Sequence, residues 1–299
     1  MRNLLRPARD QAHEQLSIAL EVRERNGEPR GYPVSAAELD AIIALYDAYD
    51  AARGAPSEPF KGANLDAALR AAIQDGYELT QRGRRLAAIR AALMQGVELC
   101  PICGISPPRV LDHHLPKAAY HPLAIYVCNL VPLCVDCNQS KGTVASANPA
   151  EHFIHSYLEP LPDVRFLRAT VTIENGGLVA EFDLDAAADL PELLRARLDH
   201  QLRRLRLNAR YAQEINTYLA GHATGLHMCF ETLGAQGVRR YLQTQAEVEF
   251  RQFHRNHWRP VLLIALANHD EVCAGAFRDL VPSVPMEDLP LAPQAEVAG

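Results

Sequence analysis

The chain has no apolar run that could cross a bilayer. Its longest late stretch, PVLLIALA at 260–267, is far short of the roughly 20 residues a spanning helix needs. The first fifteen residues, MRNLLRPARDQAHEQ, contain no apolar core of the kind a secretion signal requires. Together these absences predict a cytoplasmic protein with no membrane association. Positive charge is also in deficit. Thirty Lys and Arg stand against 36 Asp and Glu, a formal net charge of -6. That excludes a generally basic nucleic-acid binder, so any affinity for DNA must come from local patches or from a partner. No segment of the sequence repeats another. What is there is ordinary for a soluble globular protein: 48% hydrophobic and 22% charged residues over 299 positions, enough for one large or two ordinary domains.

Against that background the seven cysteines stand out. Four of them form two Cys-x-x-Cys pairs, Cys100/Cys103 and Cys134/Cys137. In a reducing compartment such pairs are metal ligands rather than disulfides. Two knuckles about 30 residues apart can wrap one tetrahedral Zn²⁺, and four thiolates leave no open position, so the expected role is structural. Cys128, Cys229 and Cys273 lie in apolar contexts and read as buried thiols.

The rest of the chain organises around this centre. Residues 1–96 read as helices. Ser35 and Glu38 have the capping-box spacing, followed by Leu39, Ile42, Ile43, Leu45 and Tyr46 at helical intervals. ANLDAALRAAI and RRLAAIRAALM are two more amphipathic helices, with a Pro/Gly loop at 53–62 before them. Residues 97–160 form the cysteine-rich region. Within it RVLDHHLP and YVCNLVPLC read as short strands, and CVDCNQSKG as a turn entering a helix. Asn148-Pro149 then predicts a capped helix start, the helix carrying AEHFIHSYL. Residues 161–281 begin with two alternating runs joined by ENGG, a hairpin signal, and return to helix from Pro191. The proline-rich segment 282–299 is expected to be a loose tail.

Between the knuckles the residues carry chemistry. Asp112, His113 and His114 end the first strand, Asn129 sits on the second, and Asn138 and Lys141 lie on the helix. The pattern C-P-x-C-G, D-H-x-x-P, N-L-V-P-L-C-x-x-C-N-x-x-K-G over residues 100–142 resembles the HNH nuclease family. The resemblance implies a ββα-metal finger inside a mainly helical α+β protein, with a β-hairpin in addition. It also implies hydrolysis of phosphodiester bonds with one divalent metal, Mg²⁺ or Mn²⁺. By position His113 matches the general base, Asp112 and Asn138 the ligands of that metal, and Asn129 the central asparagine that orients the base. A neutral imidazole near pH 7 suits proton abstraction from water. Shifted by one residue, His113 would bind metal and His114 would be the base. Asp-His-x-x-Pro ending on Pro116 favours the first register, and strand alternation then packs His114 behind the site. Lys141 reads either as a phosphate contact or as a solvated helix residue, and Asp136 as a surface acid within reach of the metal through water.

Basic residues flank the finger. Arg82, Arg84, Arg85 and Arg90 precede it directly, and Arg82 and Arg85 are candidate substrate contacts. Six arginines fall between 195 and 210, of which Arg203, Arg206 and Arg210 would share one face of a helix. FIHSYLEP, LDHQLRRLRLNARYAQEIN and HWRPVLLIAL are similar to a narrower group of bacterial HNH proteins, some of which work beside an ATPase in phage-defence cassettes of the Septu type. That implies an ATPase partner and an antiviral role, and explains an acidic nuclease. His155, His257 and Trp258 in these motifs read as structural. Double-stranded DNA is the expected substrate, and a homo-oligomer the expected means of cutting both strands. A zinc-dependent binding module and an RNA-cutting nuclease are the alternatives.

Overall fold

The computed structural model describes residues 1–25, 28–143 and 145–281; the expected tail at 282–299 lies outside the described residues. It combines helices with small antiparallel two-stranded sheets. Among the described residues, no helix is long and apolar enough to cross a membrane.

The chain divides into two compact units, residues 1–166 with 186–207 and residues 167–185 with 208 onward. The first unit opens with α1 (Ala12–Leu20), a small hairpin of β1 (Arg23–Arg25) and β2 (Glu28–Arg30), then α2 (Ala36–Ala51), α3 (Ala67–Gly76) and α4 (Ala87–Met94). The hairpin departs from the all-helical expectation for residues 1–96. The expected capping box is present: Glu38 N–H donates to Ser35 Oγ, and Glu38 Oε2 accepts from Ser35 N–H. Asp66 caps α3 by accepting from the amides of Ala68 and Leu69.

The cysteine-rich centre follows as β3 (Val110–His113), β4 (Leu130–Leu133) and α5 (Val135–Lys141). β3 and β4 pair antiparallel, with Asp112 opposite Val131 and His113 opposite Leu130. This centre is not a separate body. Ile42, Tyr46 and Tyr49 of α2 and Leu69 and Ile73 of α3 share one core with Leu111, Leu123, Ile125, Tyr126 and Leu130. The rings of Tyr46 and Tyr126 stack 3.9 Å apart. The boundary at residue 96 therefore crosses a continuous core, and the N-terminal helices serve as the bed on which the centre is built.

The helix expected over AEHFIHSYL does not form. Asn148 does cap, accepting from Ala150 N–H, but the turn it starts ends at Glu151. Tertiary partners take the backbone groups a helix would use. Arg197 of α6 (Glu192–Arg204) donates to the carbonyls of His152 and Phe153, and Gln201 Oε1 accepts from Ile154 N–H. His155 Nδ1 accepts from Tyr157 and Leu158. Satisfied this way, the backbone gains nothing by closing helical turns.

The second unit is built on the expected hairpin, β5 (Leu167–Glu174) with β6 (Gly177–Leu184). Asn175 and Gly176 at φ 51° and 76° form its turn, as ENGG predicts. Helices α7 (Leu207–Ala220), α8 (Ala223–Gln252, broken at Gly234), α9 (Trp258–Ala267) and α10 (Phe277–Leu280) complete it. His257 caps α9 through its ring and Trp258 is buried against Tyr211, structural roles for both. The expected shared face of Arg203, Arg206 and Arg210 is not formed. α6 ends at Arg204, and Arg206 adopts φ 52° between the fully buried Leu205 and Leu207, so the helix breaks there.

Arg197 also forms a two-pronged ion pair with Glu159, both largely buried. Replacing Arg197 with Ala strands that carboxylate and two carbonyls. The expected cost is about 3 kcal/mol of unfolding free energy, read by urea titration; a loss within about 0.5 kcal/mol would show that the 152–159 segment is held by other means.

Candidate metal centre and adjoining site

Cys100, Cys103, Cys134 and Cys137 are all buried, and their sulfurs lie within 4.8 Å of one another. Among the described residues they are the one group of three or more His, Cys, Asp or Glu side chains placed to hold a metal. The Cys103 and Cys134 sulfurs are 3.7 Å apart. That is far too long for a disulfide, at about 2.05 Å. It matches the edge of a tetrahedron with Zn–S bonds of about 2.3 Å, which is about 3.8 Å. The amides of Ile105 and Cys137 donate to the sulfurs of Cys103 and Cys134, both at 3.4 Å. Such donors stabilise thiolate charge. The Cys103 and Cys134 thiols are held below their ordinary value, chiefly by hydrogen bonds from Cys100, and Cys134 is lowered to about 6. Gly104 at φ 66° lets the first knuckle turn back on itself. The cluster could bind zinc as a structural metal, pinning the loop before β3 to the start of α5.

Beside it, β3 and α5 bring the ionisable residues together. Asp112 is 8% exposed. Lys141 is 6% exposed, its Nζ 2.8 Å from Asp112 Oδ2 and donating at 2.8 Å to the His113 carbonyl. Lys141 is thus neither a solvated helix residue nor an open phosphate contact; its ammonium is committed to β3. Asn138 lies one turn before Lys141 on α5, half-buried, and residues three apart share a helix face. The face that meets Asp112 therefore carries Asn138. Asp136 is exposed in the first turn of α5.

His113 Nε2 lies 2.9 Å from the Ala124 carbonyl. A carbonyl only accepts, so the proton belongs on Nε2 and Nδ1 keeps its lone pair. Tyr77 packs edge-on to the ring at 4.5 Å. Burial lowers the His113 pKa to about 4, so the ring is neutral at pH 7. His114 takes a different partner, its ring 4.1 Å from that of His155. The loop between β3 and β4 is held by Asn129, which is fully buried. Its Oδ1 accepts from Leu115 N–H and Tyr49 O–H at 2.8 and 3.0 Å. Its Nδ2 donates to the carbonyls of Leu115 and Leu123, both at 3.1 Å. Asn129 is therefore an orienting residue with no capacity left for substrate.

The flanking arginines divide. Arg85 is paired with Glu21 at 2.6 Å and Arg82 is exposed; among the described residues neither touches Asp112, His113 or Asn138. Lys117 packs 4.5 Å over the Tyr77 ring that meets His113, and Arg204 stands near the end of α5. Its Nη2 lies 3.5 Å from where a Cβ on Gly142 would stand, and Gly142 N–H closes α5 on the Asn138 carbonyl. Nothing in the residue pattern prefers Arg204 over its neighbours, since only the fold brings α6 to the end of α5. Tyr49 of α2 was equally hidden, since only the fold sets its hydroxyl against Asn129.

No protein-family profile matches the chain, and no solved structure matches it. The chain is similar to protein ea31 of Escherichia phage lambda, 27% identical over 203 residues. The match covers 61% of this chain and 66% of that protein, just under two thirds of its length.

Two measurements follow from this geometry. Purified protein should carry a single zinc per chain, and Cys137→Ser should lose it and lower the unfolding midpoint; metal analysis showing none in a folded wild type would remove the zinc assignment. His155, almost wholly buried, has its pKa lowered from 6.5 to about 3 by burial. Its folded value lies below its unfolded value, so its share of stability is complete above pH 6.5 and is lost as pH falls towards 3. In that window the share falls by up to about 1.4 kcal/mol per pH unit. Urea titrations of wild type and His155→Gln between pH 7 and 5 should show a shallower pH slope for the variant; equal slopes would contradict a neutral buried His155.

Proposed function

We propose that this centre is a metal-dependent endonuclease site of the HNH type acting on DNA. The observation that carries the reading is His113: neutral, with its proton fixed on Nε2 and a bare Nδ1, next to Asp112 and across from α5. Asp112 offers a carboxylate oxygen and Asn138 an amide oxygen, the hard donors that suit Mg²⁺ or Mn²⁺ with water and phosphate completing the shell. When bound, such an ion stabilises charge on the phosphate and on the departing oxygen. The chain's own residues do the rest. His113 Nδ1 takes a proton from water as that water's oxygen bonds to phosphorus and the P–O3′ bond breaks; the departing 3′ oxygen takes a proton from solvent, giving 5′-phosphate and 3′-hydroxyl ends. Burial raises the Asp112 pKa, and the Lys141 ammonium at Oδ2 and the His113 N–H act against that rise. Arg204 is placed to meet the phosphate backbone, a better candidate than Arg82 or Arg85.

The proposal extends to partners. Cutting both strands with one site needs two copies or two visits. A chain of net charge -6 gains from an ATPase that supplies DNA engagement, as in the phage-defence cassettes the flanking motifs resemble. Low basal activity of the isolated chain goes with that arrangement.

A second reading, a zinc-stapled binding module without cleavage, is favoured by one observation: Asp112 is already paired with Lys141. A plasmid assay with zinc-loaded protein separates the two. Mg²⁺- or Mn²⁺-dependent nicking that EDTA stops and that His113→Ala lowers by at least about 100-fold is the expected result. Cleavage that survives His113→Ala with zinc intact contradicts the assignment of the base.

A further inference from the structure

Residues outside the finger complete the hydrogen bonds of its central asparagine. The proton positions around Asn129 can be read without ambiguity, because each run of bonds ends on a backbone group of fixed sense. Leu115 N–H can only donate, so the atom it meets is Oδ1; the carbonyls of Leu115 and Leu123 can only accept, so the atom they meet is Nδ2. Tyr49, 3.0 Å from Oδ1, must then donate its hydroxyl proton. Its oxygen is left to accept from His155 Nε2, also at 3.0 Å, a proton that the Cys128 backbone carbonyl shares. His155 Nδ1 must be bare, because it accepts from the amides of Tyr157 and Leu158 at 3.1 and 3.3 Å. Every member has one allowed sense, and the senses agree along the whole chain. It runs from the backbone at 157–158 through His155, Tyr49 and Asn129 to the loop carbonyls at 115 and 123. Ala124, whose carbonyl fixes the His113 ring, follows Leu123 directly.

Packing holds the chain in place. A Cβ on Gly54 would come within 2.2 Å of His155 Cδ2, so only glycine lets the end of α2 pass the ring this closely. His114 covers another side of the same ring. All these residues belong to the first compact unit.

We infer that Tyr49 and His155 are positioning residues for His113, a one-way hydrogen-bond relay that reinforces the amide of Asn129 in the sense its backbone partners require and, through the 115–124 loop, keeps the Ala124 carbonyl on the base. His155 is thereby more than a buried structural ring, and a tyrosine of the N-terminal helices becomes part of the site. As a statement about the reaction this rests on the proposed nuclease reading; as a statement about proton placement it does not.

The test uses the full zinc-loaded chain and long-range ¹H–¹⁵N spectra, which distinguish protonated from bare ring nitrogens. In wild type, His155 should be bare at Nδ1 and protonated at Nε2, and so should His113. A proton on His155 Nδ1 overturns the proposal whatever any variant does. Tyr49→Phe deletes one hydroxyl. It should speed hydrogen exchange at Leu115 N–H by about tenfold or more and mix the His113 tautomers. Tyr157→Phe is the control for a merely structural loss, since its hydroxyl donates to the Leu130 carbonyl outside the relay. It should lower the melting temperature with His113 unchanged. If Tyr49→Phe behaves like Tyr157→Phe, the relay does not position His113. Should wild type cleave DNA, Tyr49→Phe should lower kcat about tenfold with KM within about twofold. Should wild type not cleave, the ring and amide readouts still decide the relay while the nuclease reading fails alone.

Discussion

A buried amide with all four of its hydrogen bonds made is the constraint from which the rest of the site follows. Asn129 has no exposure, and leaving any one of its bonds unmade in that position would cost about 1–3 kcal/mol. The loop between β3 and β4 must therefore bring the Leu115 and Leu123 carbonyls to one side chain. Once it does, Ala124 faces His113. The cysteine cluster and the asparagine divide the work. The four cysteines fix where the ends of the finger lie, and Asn129 fixes the loop inside it. Neither could do the other's task, because a thiolate tetrahedron reaches only the ends of the finger while the loop lies between them.

Lys141 gives the site its second character. A buried carboxylate without a cation is unstable, and Lys141 provides one from within the chain. In a metal-dependent site this favours the charged form of Asp112 before the ion arrives. In a binding module the same pair would simply join α5 to β3. The two roles predict different behaviour towards a divalent cation, and the pair itself is compatible with both.

Much of this was legible in the residues. Cys-x-x-Cys spacing, the capping box of α2 and the ENGG turn are local signals, and each formed as read. Failures came where distant partners override local preference. The cap at Asn148 fired, but Arg197 and Gln201, some 45 residues on, took the backbone that a helix needed. The arginine stripe of 203–210 broke because two leucines had to be buried on either side of Arg206. Lys141 read as either a phosphate contact or a solvated helix residue, and nothing local shows that its tip reaches β3. Tyr49 and Arg204 were invisible as functional candidates for the same reason: their relevance lies in what the fold sets beside them.

The account turns on whether Asp112 accepts a divalent cation in the presence of Lys141. A crystal structure of the zinc-loaded chain soaked in Mn²⁺, with anomalous data collected at the Mn edge, tests that directly. The account predicts a peak bound by Asp112 and Asn138 on the Nδ1 side of His113, separate from zinc at the four cysteines. Mn²⁺ absent from that position, with the Asp112–Lys141 pair unchanged, would contradict it and leave the finger as a binding module.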